Sequence, residues 1–187
     1  MTAQSGREAA TLAHAGLNEA RAQRVREEVA NRYAEAGSYF GQCFVVPPVR
    51  FDLRGGTAGM HCVLRGTSWI RFNPWLFVRY WDDSLGNTVP HEVAHGVVWQ
   101  RFPRRRVRPH GAQWREVMAL FGADDRVTCD YDLADIPRRA QQRFPYTCAC
   151  REHALSAVRH FRVQRGTSRY CCRYCSQPLS PQSGLLG

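Results

Sequence analysis

The chain has 187 residues, enough for one ordinary domain with a small appendage and a real core. Its 44% apolar content fits a globular protein, and no run of about 18 apolar residues exists to span a membrane. Net charge is +10, and every one of the 26 basic residues is arginine, whose planar fork suits phosphate oxygens; the excess favours an anionic partner, nucleic acid first.

Residues 1–16 are small, polar and aperiodic and are expected to form a disordered tail. They carry no apolar stretch of the kind a secretory signal needs, so a cytoplasmic location is expected. From Leu17 to about Gly37, Val25, Val29, Tyr33 and Ala36 recur at spacings of four, four and three among charged residues, the pattern of an amphipathic helix. From Val45 the texture changes to short extended runs broken by Gly55-Gly56 and Arg65-Gly66. Val49–Leu53, Ala58–Leu64 and Ser68–Phe72 are expected to form a three-stranded antiparallel sheet. One strand must be an edge, able to accept an extended peptide by strand addition.

Asn73-Pro74 opens a short helix, with Asn73 as N-cap. Trp81–Gly86 reads as a loop, after which Asn87 can cap a helix apolar at Val93, Ala94, Val97 and Val98 that stops before Pro103. That helix carries His91-Glu92-Val93-Ala94-His95. Four residues apart on a helix, the two imidazoles share one face and can reach one zinc ion, while Glu92 can approach a zinc-bound water instead of taking a ligand position. The next stretch, 101–109, holds five arginines and two prolines and should be a loop, its arginines either simply solvated or in contact with substrate or phosphate.

A further helix follows, with Trp114, Val117, Met118 and Phe121 on its core face. His110 at its mouth is the favoured third ligand, leaving one open position as a catalytic zinc requires; Glu116 on the same helix is the rival. Tyr80 or an arginine of the 101–108 loop could stabilise an oxyanion.

Five of eight cysteines fall within 28 residues near the C-terminus, which suggests thiolate metal ligation more than a disulfide framework. Cys148 and Cys150, then Cys172 and Cys175, make two close ligand pairs of a zinc ribbon, whose metal supplies folding energy that so small a core cannot. The first pair is open, because Cys148 with His153 is also possible; Cys171 reads as a bystander. Isolated Cys43, Cys62 and Cys129 read as small buried residues. From residue 137 to the end there are nine arginines against Glu152 alone, so this segment holds +8 of the +10. Arg159 and Arg162 on the ribbon hairpin, with Arg165, Arg169 and Arg173, are the expected nucleic-acid face, against the alternative of a structural zinc module with solvated charges.

These residues resemble the SprT-like family, relatives of the DNA-repair protease Spartan. The resemblance rests on 49–55, Thr57-Ala58-Gly59, 70–74, 89–95, 108–114 and the cysteine ribbon, in order, and covers about residues 23–180. Phe161 departs from it, since the family usually has asparagine there, and so does the doubled Cys171-Cys172. The resemblance implies an α+β fold: a zincin-like metalloprotease domain over 17–136, with helix, sheet, HExxH helix and further helix, then a basic zinc ribbon over 137–187. It implies His91, His95 and His110 as ligands of a catalytic zinc, Glu92 as the base, and a second, structural zinc in the ribbon. The expected function is zinc-dependent endopeptidase action on DNA-bound proteins, as in repair of DNA-protein crosslinks. The alternative is a non-catalytic nucleic-acid-binding or regulatory protein with structural zinc sites.

Overall fold

The computed structural model describes residues 2–103, 107–128, 130–137 and 142–182, and the chain divides into two compact units, 1–138 and 139–187. Arg104, Arg105, Arg106 and Cys129 lie outside the described residues.

The first unit begins with a helix where a disordered tail was expected: α1 spans Thr2–Ala15. Its alanines favour helix without marking a face. Leu12 and Leu17 supply the burial, 4% and 1% exposed. A Schellman turn ends it, with Gly16 at φ 76°, Gly16 N–H donating to Ala13 O and Leu17 N–H to Leu12 O. Glu8 ties the helix down by accepting from the Phe51 N–H and from Arg26. Helix α2, Glu19–Phe40, is capped by Asn18, which accepts from Arg21 N at 2.8 Å, and buries Ala22, Val25, Val29, Tyr33 and Ala36.

The sheet contains β1 (Val49–Phe51), β2 (Gly59–Leu64) and β3 (Thr67–Phe72) in the order β1-β3-β2. It is mixed, not antiparallel throughout: β1 runs parallel to β3, with Val49 opposite Ile70. The alternation in β1 specified a buried face but not a partner, and the partner follows from the crossing segment 52–58. Asn73, fully buried, holds that segment. Its Nδ2 donates to Gly55 O and Thr57 O, while its Oδ1 caps the helix after it. Strands β2 and β3 meet through Arg65-Gly66, both at positive φ (50° and 79°), the two-residue turn that matches strand twist.

Helix α3 is Pro74–Arg79. The expected loop after it is helical: α4 (Trp81–Asp83) passes into a π turn over Ser84–Thr88 and on into α5, Val89–Arg101. The cause is Pro90, which offers no N–H to the carbonyl four residues back and clashes with it, so the ladder slips and Val89 N–H donates to Ser84 O. Asn87 therefore does not cap α5; its amide donates to Asp83 and its Oδ1 accepts from Asp124 N–H. Helix α6, Ala112–Leu120, buries Trp114, Val117 and Met118, and Phe121 just beyond it is 5% exposed. Cys43 is exposed and Cys62 half-buried, so neither is the core residue expected.

In the second unit β4 (Arg143–Thr147) and β5 (Glu152–Ser156) form a hairpin, and β6 (Ser180–Pro181) joins the free side of β4. Residues expected on a hairpin instead form helix α7, Ala157–Gln164. Tyr146, Leu155 and Cys172 make its small core, and the His160 ring stacks on Phe144 at 3.8 Å.

Candidate metal centres and cleft

Helix α5 places His91 and His95 on one face, and the turn before α6 brings His110 to them. The three Nε2 atoms lie 3.2 Å (His91–His95), 3.0 Å (His95–His110) and 3.2 Å (His91–His110) apart. Zn–N bonds of about 2.0–2.1 Å in a tetrahedral shell separate their nitrogens by roughly 3.3 Å, so the donor set fits that ion. Burial holds the imidazoles neutral, as ligands must be: His91 falls to about 4 and His95 to about 3, helped by the neighbouring imidazoles, and His110 is also lowered. The Trp114 ring packs against all three, with centroids 4.7–5.8 Å away, and its Nε1–H donates to His91 O. His110 sits at φ 54°, a left-handed conformation that a side chain of this size rarely takes, held by the turn in which Gly111 N–H donates to Arg108 O. Glu116 is exposed and outside this cluster.

Glu92 is 6% exposed and stands against the edge strand. Its Oε2 accepts from the His61 N–H at 2.6 Å. Burial pushes its carboxyl up to about 7, and the His61 N–H opposes part of that rise. Neither this partner nor the role of Gly59 follows from the sequence alone: a Cβ at Gly59 would lie 2.6 Å from Glu92 Cγ and 2.8 Å from Oε1. The glycine therefore makes room for the carboxylate. Gly59→Ala is expected to displace Glu92 and lower the rate of any reaction that uses it by on the order of 10²-fold, with zinc content unchanged, as measured by steady-state kinetics and metal analysis of the same preparation.

With two turn residues between them, Leu64 and Thr67 form the first pair of the β2–β3 ladder, so the backbone groups of Val63, His61 and Gly59 point away from β3. That is the open edge, and its His61 N–H is the one Glu92 takes. Two cavities, of about 490 and 510 Å³, adjoin along it and share Gly59, His91 and Glu92. One is walled by Val98, Trp99, Phe102 and Val107; the other carries Asp83, Asp124, Arg126 and Asp130. Tyr80 stacks on Tyr131 at 4.2 Å with its hydroxyl donating to Asp132 O, and the Arg101 guanidinium lies 3.8 Å over Phe40, so these two expected oxyanion donors are engaged elsewhere, whereas Arg108 lines the first cavity beside the three histidines.

In the second unit Cys148, Cys150, Cys172 and Cys175 bring their sulfurs within 4.8 Å of one another, with Cys148–Cys150 at 3.5 Å, Cys148–Cys175 at 3.6 Å and Cys150–Cys172 at 3.7 Å. Zn–S bonds of about 2.3 Å imply a tetrahedral edge of roughly 3.8 Å, so these thiols fit a metal ion as well. His153 Nε2 lies 3.3 Å from Cys148 Sγ, outside the four-sulfur group. Cys171 is exposed and bridges to Pro178. Arg159 and Arg162 lie on α7, Arg165 at its C-cap, and Arg169 and Arg173 beyond it; all five are exposed, and among the described residues none pairs with a carboxylate. No helix among the described residues is long and apolar enough to cross a membrane.

Residues 27–131 match the SprT-like family model. The chain is 36% identical to Protein SprT of Pasteurella multocida (strain Pm70) over 145 residues, 77% of this chain and 84% of that one. It is 34% identical to Protein SprT of Escherichia coli O157:H7 over 163 residues, 84% of this chain and 92% of that one. Protein SprT of Enterobacter sp. (strain 638) is 35% identical over the same share of each. No solved structure matches. With more than half of the chain inside the family model and relatives above 30% identity along most of their length, the chain belongs to the SprT-like family.

Proposed function

We propose that the first unit is a zinc-dependent endopeptidase of the HExxH type, acting on proteins bound to nucleic acid, as in DNA-protein crosslink repair. The observation that carries the reading is the convergence of three imidazole Nε2 atoms, 3.0–3.2 Å apart, beside the buried Glu92 carboxylate. His91, His95 and His110 would hold a zinc ion, which would supply Lewis acidity toward the scissile carbonyl and the attacking water. Glu92, buried beside the three imidazoles and kept ionised by the charge of a bound cation, takes the proton of the attacking water and passes it to the leaving nitrogen. The His61 N–H keeps the carboxylate oriented, and Gly59 leaves it space. The β2 edge aligns an extended peptide across the two cavities through backbone hydrogen bonds, which suits many sequences.

The second unit, with a structural zinc on its four cysteines, supplies the address. Its exposed arginines fit a DNA backbone better than a folded acidic partner, because they are spread singly along α7 and the loop after it. The cytoplasm, where thiolates stay reduced, suits the ribbon. The test is zinc-loaded protein incubated with a DNA-bound protein and with the same protein free. Cleavage is expected in the first case and far less in the second, and raising salt from about 50 to about 200 mM should weaken DNA binding by orders of magnitude. Equal cleavage with and without DNA would remove the address but leave the peptidase. DNA binding without cleavage would favour the non-catalytic alternative.

A further inference from the structure

The ribbon holds five donors for an ion that takes four. Cys150 is the most exposed of the four clustered thiols and stands in the bend between β4 and β5, whereas Cys172 is buried. His153 is placed otherwise. It is the second residue of β5, held in register opposite Tyr146, whose side chain is fully buried in the core of this unit. Its Nε2 is aimed at the cluster, 3.3 Å from Cys148 Sγ. In a tetrahedral shell with one Zn–N bond of about 2.05 Å and one Zn–S bond of about 2.3 Å, the N···S edge is roughly 3.5 Å. The His153–Cys148 separation is thus close to a ligand edge already, and the edges to Cys172 and Cys175 would form as the imidazole moves toward the corner that Cys150 leaves.

We propose that His153 is a reserve ligand, and that the second unit holds zinc in either of two shells, Cys148-Cys150-Cys172-Cys175 or Cys148-His153-Cys172-Cys175. With Cys150 in place, His153 Nε2–H donates to Cys148 Sγ and supports that thiolate from outside the shell. When Cys150 leaves, its thiolate takes a proton from solvent, the imidazole shifts to its Nδ1–H tautomer, and Nε2 binds the metal. The ribbon then stays folded after losing its exposed corner. This rests on the reading that the four cysteines hold zinc, and the experiment separates the two.

Zinc is counted per chain by metal analysis in the full-length wild type and in Cys150→Ala, His153→Ala and the double variant. Two zincs are expected in the wild type and in each single variant, and one in the double. A wild type with one zinc would remove the ribbon metal itself. A wild type with two but Cys150→Ala with one would overturn the reserve role, as would His153→Ala with one or a double variant that keeps two. Cobalt substitution gives a second readout: thiolate-to-cobalt absorption of the second unit should fall by about a quarter in Cys150→Ala, because three thiolates replace four, and should be unchanged in His153→Ala.

Discussion

Glu92→Gln is expected to bind zinc as the wild type does and to lose cleavage by about 10²–10⁴-fold. The amide is nearly the same size as the carboxylate and can still accept the His61 N–H through its oxygen, so the cleft keeps its shape. What it cannot do is take a proton. The loss should appear in kcat more than in KM, because the carboxylate serves proton transfer and the β2 edge serves binding. Steady-state kinetics on a DNA-bound substrate, with zinc counted on the same sample, checks this. A Glu92→Gln variant within a few-fold of wild type would remove Glu92 as the base.

Gly96→Ala is expected to be among the most destabilising single changes in the first unit. An added Cβ at this position on α5 would overlap the Tyr33 hydroxyl and come within 3.1 Å of Tyr33 Cζ and 3.4 Å of His61 Nε2. Tyr33 is 2% exposed and seated on the buried face of α2, so it has little room to retreat. Overpacking of this kind costs about 3 kcal/mol, which lowers the melting temperature of a domain this size by roughly 10 °C. Any relief by moving α5 would shift His95, the adjacent residue, and weaken zinc binding too. Adding Tyr33→Phe removes the overlapping oxygen but leaves Cζ in place, so the double variant should recover part of the loss relative to Tyr33→Phe alone. Thermal melts of the four proteins test this, and additive effects of the two substitutions would contradict the contact.

The two candidate ligand clusters were legible because their spacing is local. Two histidines four apart on a helix, a third beside a glycine, and cysteine pairs separated by one and two residues each fix a face or a turn. The structure brings His91, His95 and His110 together, and the four cysteines likewise. The supports were not legible, because they depend on where the chain returns. The mixed sheet follows from Asn73 holding the 52–58 crossing. The π turn follows from Pro90, and α1 from alanines that carry propensity without a face. Gly59 and the His61 N–H become meaningful only once β2 lies along α5, and the residues around them gave no sign of it. Arg159 and Arg162, placed on a hairpin, lie on α7: 157–164 lacks the turn residues a strand pair would need, and the helix is held to the sheet by His160 stacking on Phe144, a contact its own residues do not announce.

The most direct measurement of the central claim is detection, by mass spectrometry, of new peptide termini in a DNA-bound protein after incubation with the full chain carrying two zincs. New internal termini are predicted with wild type, lost on chelation and restored by zinc, and absent with Glu92→Gln. Zinc-replete wild type that binds DNA and yields no new termini would contradict the account, as would the same termini produced by the Glu92→Gln protein.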